Sequence, residues 1–255
     1  MKFVGIDLAW SNKNGSGVAV LNGDKKKVEL IASDVLLSDE EILGYIRRHV
    51  GRDNAFISID APLLVPNKKG RRIAEDVTGK LFQKYHAGCH PANRTRLASW
   101  TGKIRGEEIT KLLEKDGFVH NPYIKKFENS RKLFEVYPHP SIVVLFNLPR
   151  ILQYKAKPKR DYNFRWREFR KYQQHLSGLP GLSLPGSVIR KNVSKLRGKA
   201  LKNYEDILDS IFCAYISYYT WANPDKCAIL GNMKGGYIFT PIFEHMKEEL
   251  KAIGL

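Results

Sequence analysis

Short apolar runs, separated by turns and one amphipathic stretch, make up the first sixty residues of the chain. The β-strands that this pattern predicts are residues 2–8, 15–21, 27–33 and 55–60. Asn22-Gly23 lies between the second and third runs and is typical of a tight hairpin. Ser38 and Glu41 match a capping box followed by apolar residues at helical spacing, so we predict a helix that ends near His49.

The order of these elements predicts the sheet. Three strands joined by hairpins are antiparallel, and the helix before the fourth strand carries the chain across, so that the fourth strand lies parallel to the first. We therefore expect the first and fourth strands to be neighbours, with their carboxyl ends at one edge. In an open sheet, ligands bind outside the carboxyl ends of parallel strands.

The rest of the chain predicts one α/β domain, residues 1–255, with an inserted helical lobe at residues 61–130. Its two helices are expected near residues 72–85 and 107–115. Further along we predict a fifth strand at residues 132–137, a short buried helix at 141–146, a long helix at 203–221 and a last short strand at 237–240. The long helix is apolar on nearly every side, so we expect it to be buried against the sheet.

Positive charge dominates the composition. Lys and Arg number 43 against 26 Asp and Glu, which gives a net charge of +17. The basic segment, residues 150–200, contains 14 Lys or Arg and only two acidic residues. Such a balance favours a polyanionic partner, and we expect nucleic acid, either DNA or RNA. We expect no membrane partner, because the chain has no basic amphipathic helix with a clean apolar face.

Aromatic residues are interleaved with the cations of the basic segment. They are Tyr154, Tyr162, Phe164, Trp166, Phe169 and Tyr172. We predict that the segment follows phosphates, with Lys155 and Lys157 among the contacts, and that its aromatic rings stack on exposed bases. The alternative is an ordinary solvated helix face followed by a loop.

The cysteines and the apolar runs bear on location. Only three cysteines occur, an odd and scattered set that is typical of a reducing compartment, so we expect a cytoplasmic protein. The longest unbroken aliphatic or aromatic stretch is residues 142–146, far shorter than the ~20 residues that cross a bilayer.

Acidic residues fall where the predicted fold would bring them together. Asp7 and Asp60 end the first and fourth strands, and Asp206 and Asp209 share one face near the start of the long helix. Four such carboxylates would repel one another unless divalent cations bind them, and their oxygen atoms suit Mg²⁺ or Mn²⁺. Taken singly, a strand-end Asp often caps a turn. Glu135 in the fifth strand is a further candidate, and its alternative is an ion pair with Lys132 or a nearby Arg.

Several loop residues are candidates for substrate contact. Lys68 and Arg71 belong to a basic run that either contacts phosphate or forms a solvated turn. Asn93, Arg94 and Arg96 follow a cluster of three metal-ligating side chains, His86, Cys89 and His90. A structural zinc site usually needs four ligands in paired clusters, so we favour a phosphate-binding loop there over zinc. His139, between two prolines, is a candidate acid–base residue or an ordinary loop histidine.

Four short motifs in this order resemble those of a known family. They are Gly5-Ile6-Asp7-Leu8-Ala9, Ile59-Asp60-Ala61-Pro62, Glu135-Val136-Tyr137-Pro138 and Asp206-Ile207-Leu208-Asp209-Ser210. They resemble the motifs of the family of unknown function number 429, which is related to RNase H-like nucleases, and the paired aspartates resemble the RuvC type of site. Ser210 stands where this family usually has Ala.

The resemblance implies an RNase H-like fold, a mixed five-stranded sheet flanked by helices with a helical insertion between strands four and five. It implies hydrolysis of phosphodiesters with two ions of Mg²⁺ or Mn²⁺. By the resemblance Asp7 would bridge both ions, Asp60 and Asp209 would each complete one coordination sphere, and Asp206 or Glu135 would hold an ion or orient the water.

Two other functions remain open from the sequence. A phosphotransferase of the actin or sugar-kinase type shares this core, but its second, adenosine-binding half finds little room in 255 residues. A nucleic-acid-binding module without turnover is the other alternative.

Overall fold

A mixed sheet of seven strands forms the centre of the computed structural model, which describes residues 1–99 and 102–254. The strands are β1 (Lys2–Asp7), β2 (Ser16–Gly23), β3 (Val28–Leu36), β4 (Ala55–Asp60), β5 (Val119–His120), β6 (Arg131–Val136) and β7 (Leu182–Ser183). Their order across the sheet is β5-β6-β4-β1-β2-β3-β7. β1, β2 and β3 are antiparallel, whereas β4 is parallel to β1 and β6 is parallel to β4. The five predicted strands are therefore present, and the expected pairing of the first with the fourth is confirmed.

The expected sheet of five strands differs from the observed sheet at both edges. The additional strands, β5 and β7, are two residues long and pair with β6 and β3 respectively. Two residues cannot show an alternating pattern, so edge strands of this length carry no recognisable period in the sequence.

Helices cover both faces of the sheet. In the described part of the chain they are α1 (Asp39–Val50), α2 (Ile73–Phe82), α3 (Arg94–Leu97), α4 (Arg105–Lys115), α5 (Pro138–Leu145), α6 (Tyr162–Ser177), α7 (Gly186–Ile189), α8 (Gly198–Ala222) and α9 (Met246–Ala252). Short 3₁₀ helices occupy Gln83–Tyr85, Val193–Lys195 and Pro224–Lys226. The predicted capping box is confirmed, because the Ser38 side chain accepts from the Glu41 amide and the Glu41 carboxylate accepts from the Ser38 amide. No helix in residues 1–99 and 102–254 is long and apolar enough to cross a membrane.

The alternation of side chains along β1 divides the core in two. Phe3 packs in the larger cluster together with α8, α6 and α5. Val4 and Ile6 pack on the opposite face together with Ile42 of α1 and Ile109 of α4. The α8 face is therefore the one toward which the odd-numbered residues of β1 point, and Asp7 is one of them.

Two glycines let α8 lie directly on the sheet. A Cβ atom at Gly5 would stand 2.0 Å from the amide nitrogen of Ala214, and one at Gly17 would stand 2.0 Å from the carbonyl oxygen of Asp206. Any side chain at these positions would push the helix away, because real Cβ atoms do not approach backbone so closely. The helix backbone therefore contacts β1 and β2 over the turns that carry Asp206 and Asp209.

A separate hairpin completes the fold. It consists of β8 (Cys227–Asn232) and β9 (Gly236–Pro241), which pair with each other and not with the main sheet. The predicted strand at residues 237–240 is confirmed as β9, whereas its partner β8 was not predicted. Of the segment predicted as an inserted lobe, residues 61–130, α2 packs on this hairpin through Val77, while α4 packs with α1 through Ile109.

The prediction that the aromatic rings of the basic segment stack on exposed bases is wrong for most of them. Tyr154, Trp166, Phe169 and Tyr172 are all buried in the larger core cluster. Residues 162–177 form the amphipathic helix α6, in which Trp166, Phe169 and Tyr172 lie at helical spacing and turn inward. Its cations Arg167, Arg170 and Lys171 are exposed. Only Tyr162 of the aromatic group is exposed among the large hydrophobic side chains.

Candidate active site

The carboxyl ends of β1 and β4 place two acids side by side. Ile6 pairs with Ile59 in the parallel register, so Asp7 and Asp60, the next residues, end neighbouring strands. Asp7 lies opposite Gly17, and the carbonyl of Asp206 rests over that glycine. The predicted convergence of strand-end acids with acids of the long helix is therefore present in the structure.

The carboxyl groups of Asp7 and Asp206 both have raised pKa values. Burial raises the pKa of Asp206, and the ammonium of Lys202, followed by a hydrogen bond with Asp7, opposes that rise. The pKa of Asp7 itself lies well above its usual value, first because the group is buried, and then because Asp209 and Asp60 repel its charge. Lys155 acts in the opposite direction.

Asp60 is also strongly perturbed. Its pKa is raised to about 7, chiefly by burial, with repulsion from Asp209 and Glu135 adding to the rise and attraction to Lys155 opposing it. A carboxyl group with this pKa exchanges a proton near neutral pH, which is a common property of functional sites.

Asp209 is the most enclosed of the four. Its Oδ1 accepts hydrogen bonds from the hydroxyl groups of Tyr154 at 2.6 Å and Tyr172 at 3.1 Å. Its buried Oδ2 lacks a well-aligned hydrogen bond and lies 2.9 Å from Nζ of Lys155. Burial alone would lower the pKa of Lys155, but the carboxylates of Asp209, Asp7 and Asp60 raise it well above the usual value. Lys155 is therefore a cation shared by three acids.

A second lysine neutralises the start of α8. Nζ of Lys202 lies 2.6 Å from Oδ1 of Asp206 and 2.8 Å from Oε1 of Glu205. Arg165 approaches the other oxygen of Glu205 at 3.3 Å. Together Lys155 and Lys202 give the acidic centre two ammonium groups of its own. We use the name acidic centre for Asp7, Asp60, Asp206 and Asp209.

Glu135 points away from the acidic centre. It pairs in register with Ile59, while Asp60 pairs with Val136, so the alternation of the strand sends Glu135 to the other face. There it forms a bidentate ion pair with Arg72, at 2.6 and 3.0 Å, and accepts from the Leu63 amide at 2.8 Å. Arg72 also binds Glu75 at 2.6 Å. Of the two readings open from the sequence, this geometry matches the ion pair with a nearby arginine.

His139 is held in its neutral form. Burial lowers its pKa to about 3, and the nearby ammonium of Lys155 acts in the same direction. The hydroxyl group of Tyr137 lies 2.6 Å from its Nδ1 atom. A neutral imidazole with so low a pKa does not serve as a proton donor at neutral pH, and it is placed to orient Tyr137.

The acids of the acidic centre pair with lysines in this structure, so an ion would have to replace an ammonium group to bind there. Within the described residues, no three His, Cys, Asp or Glu side chains stand together so that they could hold one. At the acidic centre the donor chemistry suits Mg²⁺ or Mn²⁺, but Lys155 and Lys202 stand against Asp209 and Asp206. At the cluster where zinc was an alternative, His86 and His90 are exposed, and burial raises the pKa of the Cys89 thiol to about 11.

The predicted substrate-contact residues lie in two places. Lys155 contacts Asp209 of the acidic centre, and Lys157 is exposed two residues further on. Apart from His139, the others belong to the loop at residues 67–71 and to residues 92–96, which include the start of α3; they are Lys68, Arg71, Asn93, Arg94 and Arg96. Asn93 caps α3, Arg94 binds Glu107 at 2.8 Å, and Arg71 lies 3.9 Å from Asp76.

Sequence reasoning missed several partners of the acids. Lys202 stands four residues before Asp206 on the same helix. This spacing is typical of an ion pair, so the sequence could have predicted the contact. Tyr172 is distant in sequence from Asp209, and no local pattern predicts their hydrogen bond. The same holds for Arg72 and Glu135, which are separated by 63 residues.

One known family matches most of the chain. The family model described as protein of unknown function (DUF429) matches residues 5–233. The chain belongs to this family. The DUF429 match includes the whole acidic centre, Glu135, and both lysines that neutralise the acids. No curated protein matches the chain.

Proposed function

We propose that this protein is a nuclease that hydrolyses phosphodiester bonds of nucleic acid at the acidic centre and that requires Mg²⁺ or Mn²⁺. The observation that carries the proposal is the meeting of Asp209 of α8 with Asp7 and Asp60 at the carboxyl ends of parallel strands, where Asp209 raises the pKa of both other acids and Asp60 raises that of Asp7. The net charge of +17 supports a polyanionic substrate.

The order of the central strands supports an RNase H-like fold. Three antiparallel strands are followed by two strands parallel to the first, and a late helix carries two acids back to the strand ends. This is the arrangement that the family resemblance implies. We also propose a cytoplasmic location, because Cys89, Cys213 and Cys227 are all free thiols.

The side chains of the acidic centre have distinct roles in this proposal. Asp60 ends the strand beside Asp7 and would help to hold the divalent ion, and without that ion burial raises its pKa to about 7. Lys155 and Lys202 oppose the negative charge of the phosphodiester as it approaches the carboxylates. Asp7, Asp60 and Asp209 would hold the divalent ion, which would activate the attacking water, and Lys155 would then leave its contact with Asp209.

The direct test is a cleavage assay. Labelled single-stranded, duplex, hybrid and branched nucleic acids are incubated with the protein in Mg²⁺, in Mn²⁺ and in EDTA. We expect cleavage of at least one substrate with either ion and none in EDTA. Absence of cleavage under every condition contradicts the proposal. Phosphate release from a nucleotide without strand cleavage would instead support a phosphotransferase.

One observation favours a second function, nucleic-acid binding without turnover. The ion pairs of Lys155 and Lys202 leave the acids of α8 already neutralised, which is what a centre without metal chemistry needs. The same assay separates the two functions, because a binding module retains the substrates in a mobility shift and cleaves none of them.

A further inference from the structure

The loop at residues 67–71 and the segment 92–96, which includes the first turn of α3, form one basic surface. The backbone amides of Arg94 and Thr95 donate to the carbonyl groups of Asn67 and Lys68, both at 3.1 Å. The Thr95 hydroxyl donates to the Lys68 carbonyl at 2.8 Å. The side chains of Asn67 and Asn93 add bonds to the carbonyl groups of Ala92 and Gly70. We call this hydrogen-bonded pair, residues 67–71 and 92–96, the double loop.

Arg71 and Arg94 of the double loop are paired with acids, whereas its other three cations are available to a ligand. In the described part of the chain, no carboxylate lies within 4.0 Å of a side-chain nitrogen of Lys68, Lys69 or Arg96. Lys68 and Lys69 are exposed. Since the net charge is also strongly positive, the double loop attracts phosphate groups.

Trp10 lies between the double loop and the end of β1, which carries Asp7. The guanidinium carbon of Arg96 lies 5.4 Å from the centre of the Trp10 ring, a cation–π contact. Trp10 follows Asp7 by three residues and is 49% exposed. With Ala9 and Ala61, it lines a small hollow of about 20 Å³ between the segments that leave β1 and β4. The exposed Trp10 ring thus stands close to where the two acid-bearing strands end.

We infer that the double loop and Trp10 form a binding surface for single-stranded nucleic acid, on which an unpaired base stacks against the Trp10 ring. This inference rests on the proposed function, which makes the ligand a nucleic acid. An exposed Trp with a guanidinium on its ring favours a flat, polarisable partner, and adjacent lysines favour a phosphate backbone. In a duplex the bases are stacked on each other, so a single aromatic side chain selects unpaired nucleotides.

The test measures binding in EDTA, where no cleavage is expected, with a fluorescein-labelled oligothymidylate and a duplex of equal length. Base stacking on one aromatic ring contributes about 1–3 kcal/mol, so Trp10→Ala should weaken single-strand binding by roughly fivefold or more. Duplex binding should stay within about twofold of the wild type, and Trp10→Phe should retain most of the affinity for the single strand. Tyr123→Ala is the matched control, because it removes another exposed ring, which is 58% exposed. It should change neither single-strand binding nor duplex binding.

The charged part of the surface has its own readout. Lys68→Ala together with Lys69→Ala should weaken the binding of both the single strand and the duplex. The salt dependence of binding should fall by the amount that corresponds to about two phosphate contacts. Single-strand binding by Trp10→Ala at the wild-type level, or an equal loss for single strand and duplex, overturns the inference. If the wild type binds as expected but cleaves no substrate with Mg²⁺ or Mn²⁺, the nuclease proposal fails and the binding surface stands.

Discussion

A Cβ atom at Gly17 would lie 2.0 Å from the carbonyl oxygen of Asp206. This contact is how β2 brings the acids of α8 to the ends of β1 and β4, because only a strand without a side chain at that point admits the helix backbone. The placement of the acidic centre therefore depends on a residue that carries no chemistry.

Replacement of Gly17 tests that dependence. Gly17→Ala should lower the free energy of unfolding by roughly 2–3 kcal/mol or more, since the added methyl group displaces helix backbone that cannot easily move. Gly44→Ala is the matched control, because nothing lies within 4 Å of the added atom in α1, and it should stabilise the protein by up to ~1 kcal/mol. Urea denaturation followed by circular dichroism measures both. Equal stability of Gly17→Ala and wild type would show that α8 does not rest on β2 as described.

The ion pair of Arg72 and Glu135 should behave as a structural element. Arg72→Met leaves two buried carboxylates, Glu135 and Glu75, without their cation, and should cost about 3–5 kcal/mol. Arg71→Met, at the neighbouring exposed position, should change stability by less than about 0.5 kcal/mol.

A double-mutant cycle makes this test specific. Glu135→Gln should lower the free energy of unfolding less in the Arg72→Met background than in the wild type. In that background Glu135 has already lost its cation, so removal of its charge breaks no ion pair. Additive losses in thermal denaturation would mean that the two residues do not act as a pair.

Lys155 should compete with divalent ions for the acidic centre. In EDTA, Lys155→Met should be less stable than wild type, because Asp209 loses the ammonium at 2.9 Å. Addition of Mn²⁺ should raise the melting temperature of Lys155→Met more than that of wild type, since an ion that binds the folded state stabilises it and no lysine has to be displaced. Lys157→Met is the control and should match wild type at every Mn²⁺ concentration. Identical Mn²⁺ shifts in Lys155→Met and wild type would refute the competition.

The raised pKa of Asp60 predicts a pH-dependent stability in EDTA. Its pKa is about 7 in the folded chain against an ordinary value of 3.8, so the folded state holds the proton more tightly than the unfolded state. The resulting stabilisation is complete below about pH 4 and is lost as the pH rises through 7. Asp60→Asn should remove that loss of stability. Its free energy of unfolding should exceed that of the wild type by on the order of 2 kcal/mol at pH 8, and the difference should disappear toward pH 4.

Urea titrations at several pH values measure this difference, and Asp53→Asn at an exposed position is the control. A difference between Asp60→Asn and wild type that is independent of pH would contradict the assignment of the raised pKa to Asp60.

Much of the fold could be predicted because its sequence patterns are local. Ser38 and Glu41 specify the start of α1 by themselves, and strand ends at Asp7 and Asp60 follow from apolar runs of a few residues. Their pairing needed only the rule for a strand, a helix and a parallel strand. The convergence of the acids then followed from topology.

The remaining features depend on contacts between distant residues. Glu135 was a candidate for the acidic centre because its strand was predicted, but the register that turns it to the other face is a property of the β4–β6 pair. Tyr154 was expected to face nucleic acid, whereas its hydroxyl binds Asp209 inside the core. Aromatic residues among cations look the same in sequence whether a helix turns them outward or inward.

The account divides five acids into those that act on substrate and one that holds the fold, and a comparison of Asp7→Asn with Glu135→Gln tests this division most directly. Cleavage of the best substrate is measured at saturating Mg²⁺ or Mn²⁺, with circular dichroism to verify folding. The account predicts that Asp7→Asn folds, binds nucleic acid and loses cleavage by roughly 10²-fold or more, whereas Glu135→Gln melts at a lower temperature and retains cleavage. Full cleavage by Asp7→Asn, or loss of cleavage in a folded Glu135→Gln, would contradict it.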